Sequence, residues 1–285
     1  MKSKRYFWLL QIPALALIFL FTIYPLVRTF MYSFTNWRNF SPKQTFIGFR
    51  NYAQILNDRI IFLSLRNTFI MMFFVFLFQM GAALLLAILV DSAKRLSKFF
   101  RTVFFFPILI SATAIGLMFR LMYTYDYGLL NYFATLLGHE KQVWLTEKSS
   151  IFFVSIPIMW QYVGFYFVIF MAGISRIPLD IYESVELDGI GPVQKVVYIT
   201  IPMMRDVLTA SAVLIVSGCF KIFDMVYMIS NGGPVNSSEI LSTYMYSMAF
   251  INSNSGYASA IAIVMILLGT GLTVVMQKIF EQKDD

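Results

Sequence analysis

Long apolar stretches alternate along the chain with shorter polar ones. The apolar runs fill residues 9–31, 67–90, 99–122, 151–174, 207–229 and 257–279. A helix needs about 20 such residues to cross the hydrocarbon core of a bilayer, so each run predicts one membrane-spanning helix. Two runs carry charge. Arg120 lies near the far end of the third, and Lys221 and Asp224 lie in the fifth. Lys2, Lys4 and Arg5 precede the first run, as they would in a secretory leader. That run is too long for a leader, no small-residue cleavage site follows it, and five more spans come after. It reads as a retained anchor.

Composition agrees with lipid as the main solvent. The 285 residues are 59% hydrophobic and only 13% charged, where a soluble domain carries about a quarter charged residues. Aromatics make up 18%, thirty of them Phe, which suits lipid-facing and interfacial positions. The expected fold class is all-α, a polytopic membrane protein with six transmembrane helices. The net charge of +7 fits cations held on one side of a membrane. No basic run is long enough to track a phosphate backbone, so no nucleic-acid partner is expected.

The chemistry available to the chain is narrow. Cys219 is the one cysteine and His139 the one histidine. No internal disulfide, metal site or His-based triad can be built from them, so no catalytic residue, no metal and no enzyme activity are expected. The phosphate-cradling pattern Gly-x-x-x-x-Gly-Lys-Ser/Thr is absent. The chain is expected to hold no cofactor, and any ATP-Mg in its cycle must sit on another polypeptide.

Lys and Arg mark the cytoplasmic side of a span. Lys2, Lys4 and Arg5 at the N-terminus fall on the same side as Lys94, Arg95, Lys98 and Arg101 in the short second loop. The fifth loop, 230–256, has neither residue and reads as external. The first loop dissents with Arg38, Lys43, Arg50, Arg59 and Arg66, but the rule is weaker for long loops. Both termini are then cytoplasmic. Trp8, Trp37 and Trp144 lie where an interfacial belt against membrane lipid would place them, whereas Trp160 is deeper. The division expected is residues 1–66 as anchor span and external loop, 67–281 as the main membrane domain, and 282–285 as a cytoplasmic tail.

Between the fourth and fifth runs lies "YESVELDGIGPVQKVVYITIP", residues 182–202, polar and broken in two by Gly-Ile-Gly-Pro. Pro178 suits a first helical position, and Leu179 to Asp188 contains no breaker. Gly189 fits the left-handed stop. Pro192 can open a second helix through about Thr200, which Pro202 then interrupts. Asp180, Glu183 and Glu186 share a broad acidic side, and Ile181 and Val185 form an apolar pair on another. An acidic helix gains nothing from an anionic inner leaflet, so docking onto a protein is the better reading.

These residues resemble the "EAA" loop of binding-protein-dependent ABC importer permeases. The match is Glu183-Ser184-Val185, then Asp188-Gly189, then Ile199-Thr-Ile-Pro202. Ser184, Val185 and Ile201 depart from the pattern Glu-Ala-Ala, Gly, Ile-x-Leu-Pro, and the spacing is kept. Further segments are similar to the carbohydrate branch: Ile47-Gly-Phe-Arg-Asn-Tyr52, Arg101 to Pro107 (RTVFFFP), Ile177-Pro178, Asn231-Gly-Gly-Pro234, Tyr244, Ala249-Phe250 and Gly256-Tyr-Ala-Ser259. The resemblance implies a type I ABC importer permease fold and import of a sugar or oligosaccharide. It implies a second homologous permease subunit, a cytoplasmic ATPase dimer carrying ATP-Mg, and an extracellular solute-binding protein. Glu183 would meet a basic residue of the ATPase, Gly189 would permit the turn, and Pro202 would fix the exit.

Two further sites are expected from the residues. Lys221 and Asp224, three apart in one predicted helix, read either as a structural ion pair or as part of a translocation path. In the second case Asp224 would act with Phe223 and Tyr227. Asn231-Gly232-Gly233-Pro234 carries turn chemistry for the external loop. A permease for a non-sugar solute remains an alternative. A secondary transporter is less favoured, because the first three spans are not repeated in the last three and Asp224 is the only carboxylate well inside a span.

Overall fold

The computed structural model describes residues 11–39, 41–92 and 96–281. Lys2, Lys4, Arg5, Trp8, Lys94, Arg95 and the tail 282–285 lie outside the described residues. In chain order the elements are α1 (Gln11–Tyr32), β1 (Thr35–Asn36), β2 (Thr45–Phe46), α2 (Arg50–Ile55), α3 (Arg59–Ser92), α4 (Ser97–Phe105) and α5 (Ala112–Met122). They continue with α6 (Leu129–Leu136), α7 (Ser150–Ile174), α8 (Leu179–Leu187), α9 (Pro192–Met203), α10 (Arg205–Cys219), α11 (Asp224–Ser230), α12 (Leu241–Tyr246) and α13 (Ser255–Glu281). The strands form a two-residue antiparallel ladder with Thr35 opposite Phe46. Among the described residues, four helices are long and apolar enough to cross a membrane alone. Two bent pairs, α4–α5 and α9–α10, raise the number of spans to as many as six. The all-α, six-span expectation agrees with this.

The chain divides into two compact units, Met1–Ile61 with Tyr244–Leu268, and Phe62–Thr243 with Gly269–Asp285. In the first, Asn51 is buried and its Nδ2 donates to Ser33 O at 2.8 Å and to Thr35 O at 3.0 Å. That pins the segment after α1 to α2. Asp58, just ahead of α3, gathers distant parts of the chain. Its Oδ2 accepts from the hydroxyls of Tyr244 and Tyr257, each at 2.7 Å, and its Oδ1 from Ile60 N at 2.9 Å. Burial alone raises this carboxyl, but the hydrogen bonds from Tyr244, Tyr257 and the backbone favour the charged form and hold it below the ordinary value.

A carboxyl depressed on folding stabilises the fold above its unfolded value and stops doing so as pH falls through its folded value. Asp58 therefore supports the fold at neutral pH, and its support fades below about pH 4. Asp58→Ala is expected to cost about 3 kcal/mol at pH 7, since it removes the carboxylate that accepts from two partly buried hydroxyls. Thermal unfolding followed by intrinsic fluorescence should show the difference between variant and parent shrinking on acidification.

In the second unit the core is apolar and close-packed around Phe167, Phe170, Met71, Ile158 and Ile115, all essentially inaccessible. The helix α7 runs through it. Its Gly164 lies so close to α4 that a Cβ would sit 1.7 Å from Phe104 O. Pro157 in α7 has no N–H to offer the carbonyl of Phe153 four residues back. Tyr123 Oη donates to that carbonyl at 2.8 Å instead, so no buried acceptor is lost.

The third and fifth spans differ from the continuous helices expected. After Pro107 the third turns through 90°, with Ile110 and Ser111 extended. Two groups satisfy the break. Ser111 Oγ accepts from Ala114 N at 3.1 Å, and Gln161 Nε2 donates to Ile110 O at 2.9 Å. The run expected over 207–229 stops at Cys219, and a separate helix, α11, starts at Asp224. Ser242 Oγ donates to Ile222 O inside that gap. Pro202 does not end its helix: α9 continues to Met203 because residues Val196–Thr200 form a π turn, with Ile201 N bonded to Val196 O. The sharp change of direction, 71°, comes after Met203.

Candidate functional site

The helices α8 and α9 form two arms joined at Gly189, whose φ of +72° requires a residue without a side-chain penalty. Gly189 N bonds Glu186 O at 3.2 Å and Ile190 N bonds Val185 O at 3.3 Å, closing α8 with a left-handed cap. Val185 is buried and Ile181 half-buried, so the apolar side of α8 faces the protein. Glu183, Ser184 and Asp188 are exposed. Ser184 Oγ donates back to Asp180 O at 2.8 Å, leaving its hydroxyl occupied within the helix.

Side chains that the sequence does not pair brace the arms; of them only Glu186 stands out there, as part of the acidic side. Lys195 on α9 pairs with Glu186 on α8 at 2.8 Å and lies 4.4 Å from the ring centre of Tyr182. Tyr182 Oη and Thr200 Oγ1 are 3.2 Å apart. Cation, carboxylate and ring lie on two helices joined by a reversal, so no short-range spacing in the sequence could have paired them. The loop carries apolar side chains outward: Leu187 is 89% exposed and Val193 76%. Behind it opens a cavity of about 670 Å³, whose lining includes Asp91, Glu183, Glu186, Tyr182 and Lys195.

A second cavity, of about 240 Å³, lies at the gap between α10 and α11. Gln79, Tyr162, Tyr166, Lys221, Phe223 and Asp224 are among its lining. Phe223 and Asp224 are thus brought together there. Tyr227 is not in the wall and stacks on Phe223, with ring centres 5.2 Å apart and planes 24° off parallel. Lys221 and Asp224 do not share a helix, because the first lies in the gap and the second opens α11. No described carboxylate forms an ion pair with Lys221. The ion-pair reading therefore fails, and both charges line the cavity instead.

Asn231 closes α11 in the left-handed region with φ +49°, and Gly232 follows at +79°. A Cβ on Gly232 would lie 1.9 Å from the Glu239 carboxylate, which would have to shift, while the positive φ is what favours glycine here. Gly233 N bonds Ser230 O at 2.9 Å, and Ser238 Oγ donates to Gly233 O at 2.7 Å. Pro234 O accepts from Ser237 N at 2.8 Å. The four predicted residues do form the turn. Glu239 and Asn67, which fix it from beneath, carried no sequence signal. Asn67 Nδ2 donates to Glu239 O at 2.9 Å from 172 residues away. Burial pushes the Glu239 carboxyl up, and a hydrogen bond with Thr243 partly opposes this.

The profile of the family described as "Binding-protein-dependent transport system inner membrane component" matches residues 79–283. The chain is 35% identical over 282 residues to a probable ABC transporter permease protein, YurN, of Bacillus subtilis, covering 96% of this chain and 95% of that one. It is 31% identical over 276 residues to the lactose transport system permease protein LacF of Rhizobium radiobacter, covering 93% and 92%. Its fold matches a crystal structure of a bacterial ABC transporter involved in import of the acidic polysaccharide alginate. The TM-score is 0.88 at 18% identity, covering 100% of this chain and 98% of that one. By family, fold and span organisation, the chain belongs to the binding-protein-dependent transport system inner membrane components, the permease subunits of ABC importers.

Proposed function

We propose that this permease subunit imports a sugar or oligosaccharide, with ATP-Mg bound and hydrolysed on a separate cytoplasmic ATPase dimer. The observation that carries the coupling is the braced pair α8–α9, which offers Glu183 and the exposed tips Leu187 and Val193 on a turn fixed at Gly189. A rigid pair of short helices transmits a push that a slack loop would absorb. The carboxylate of Glu183 gives an arriving cation a charge-assisted contact. In this reading both termini and the α8–α9 loop are cytoplasmic, and residues 230–256 face the solute-binding protein. A second, homologous permease supplies the other half of the pathway, which opens alternately to either side.

The sugar assignment draws on the relative named for lactose transport and on the cavity beside α11. Its aromatic rings can pack on the apolar C–H faces of a sugar, while Asp224 and Gln79 accept from or donate to hydroxyls. Asp224→Ala is expected to raise the KM of uptake about tenfold, the loss of one charge-assisted hydrogen bond, while basal ATP hydrolysis stays intact. Uptake of labelled sugars by proteoliposomes holding the whole transporter, with its binding protein and ATP, tests both points. ATP-independent uptake overturns the importer mechanism, and an unchanged KM overturns the role of Asp224.

Lys221 in the same wall favours a second reading, a solute that bears an acidic group. A phosphorylated polyol competing with uptake better than the neutral sugar would select it.

A further inference from the structure

The loop between α5 and α7 carries an apolar surface that neither the cavities nor the coupling arms use. No Asp, Glu, Lys or Arg occurs from Tyr127 to Gly138, yet most of this stretch faces outward. Tyr127 is 93% exposed and Leu137 77%, and Leu129, Tyr132, Phe133 and Leu136 are exposed beside them. The exposure is built in. Asn131 is buried, with Nδ2 donating to Tyr125 O at 3.0 Å and Gln142 O at 2.9 Å while Oδ1 accepts from Gln142 N at 3.0 Å. Leu130 packs on the core. A cap at Gly138, with His139 N bonded to Ala134 O at 2.9 Å, closes the helix. These contacts fix the inner side of α6 and turn its remaining apolar side chains away from the protein.

We propose that α6 lies in the headgroup–acyl boundary of the bilayer, in the leaflet where α5 ends and α7 begins, and anchors this end of the permease to lipid. The proposal rests on the membrane-spanning reading of those helices. Depth carries the choice of lipid over a protein. Only six residues separate Met122 from Leu129, and they are shortened by a turn in which Gly128 N bonds Thr124 O at 3.0 Å. The helix α6 packs on α5, and Tyr123 Oη ties the start of the loop to α7 through Phe153 O. The platform therefore cannot rise far from the span ends. Its surface also continues that of α5, where Leu117 and Leu121 are exposed. Tyr125, Tyr127 and Tyr132 supply the rings with polar tips that favour this depth. An outer side that is aromatic and uncharged enters this zone without the cost of desolvating a charge.

The test uses the complete transporter in nanodiscs, with Cys219→Ala as background and a bimane label at Leu136→Cys or Phe133→Cys. Glu140→Cys serves as the water-exposed reference and Leu121→Cys as the span reference. The expected result is strong quenching of the α6 labels by lipids brominated high in the acyl chain. Quenching by iodide should be severalfold weaker than at Glu140→Cys. Iodide quenching equal to that reference overturns the proposal. So does protection from iodide without bromolipid quenching, which means a neighbouring subunit covers the helix. Protection that appears only when the binding protein is added also overturns it. Absence of bromolipid quenching at Leu121→Cys as well overturns the span reading together with the anchor.

Discussion

Gly164→Ala is expected to abolish accumulation of the folded permease. A single methyl at this position lies 1.7 Å from Phe104 O and 2.3 Å from its carbonyl carbon. Backbone cannot step aside as a side-chain tip can, so α4 and α7 must separate along their contact. Overpacking in a close-packed interior costs about 3 kcal/mol, and a backbone clash this deep exceeds what side-chain repacking relieves. Helices in lipid gain their association from such close approach at small residues, so the contact cannot be regained elsewhere. Size-exclusion chromatography of a fluorescent fusion should show loss of the monodisperse peak. Gly81→Ala on α3, where a Cβ meets nothing within 4 Å, should leave that peak in place.

The second large effect concerns coupling rather than folding. Gly189→Pro should leave the chain inserted and monodisperse but without ATP-driven uptake. Proline fixes φ near −65° where the turn needs +72°, and it removes the N–H that bonds Glu186 O at 3.2 Å. Gly189→Ala is milder, since open space surrounds the position and only the left-handed strain of about 1 kcal/mol remains. Glu183→Lys keeps the exposed helix and reverses the charge it presents, so it should uncouple as fully as the proline. Uptake at parental rates in both Gly189→Pro and Glu183→Lys, measured beside surface-exposed amounts of each variant, sinks the assignment of this loop.

The sequence shows most plainly what depends on runs and local geometry. Twenty apolar residues mark a span wherever they fall, and Gly189 and Asn231-Gly232 mark turns because glycine and asparagine accept the left-handed backbone that other residues avoid. The breaks in the third and fifth spans were hidden. Whether a helix continues past Ile110 or Cys219 depends on Gln161 and Ser242 taking the released carbonyls, and those side chains arrive from elsewhere in the fold. Pro202 marked the break only approximately: a π turn of five residues lets the helix run past it, and the bend comes after Met203.

The candidate sites divide the same way. Glu183 and the Gly189 turn were visible in their spacing. The brace formed by Tyr182, Glu186 and Lys195 was not, because it joins two helices across a reversal. Asp58 was hidden more deeply, since its tyrosine partners lie 186 and 199 residues away. Lys221 and Asp224 looked like helical neighbours only while the fifth span was taken as continuous.

The central claim is that the α8–α9 arms hand ATP-driven motion to the membrane helices through a separate ATPase. The most direct test places a photo-crosslinking residue at Leu187, the most exposed apolar side chain of the loop. Irradiation in native membranes and mass spectrometry then identify what it joins. The account predicts one main product, an ATPase polypeptide, with a yield that changes when ATP is replaced by a trapped-state analogue. A product joined only to lipid or to the chain's own residues would contradict it.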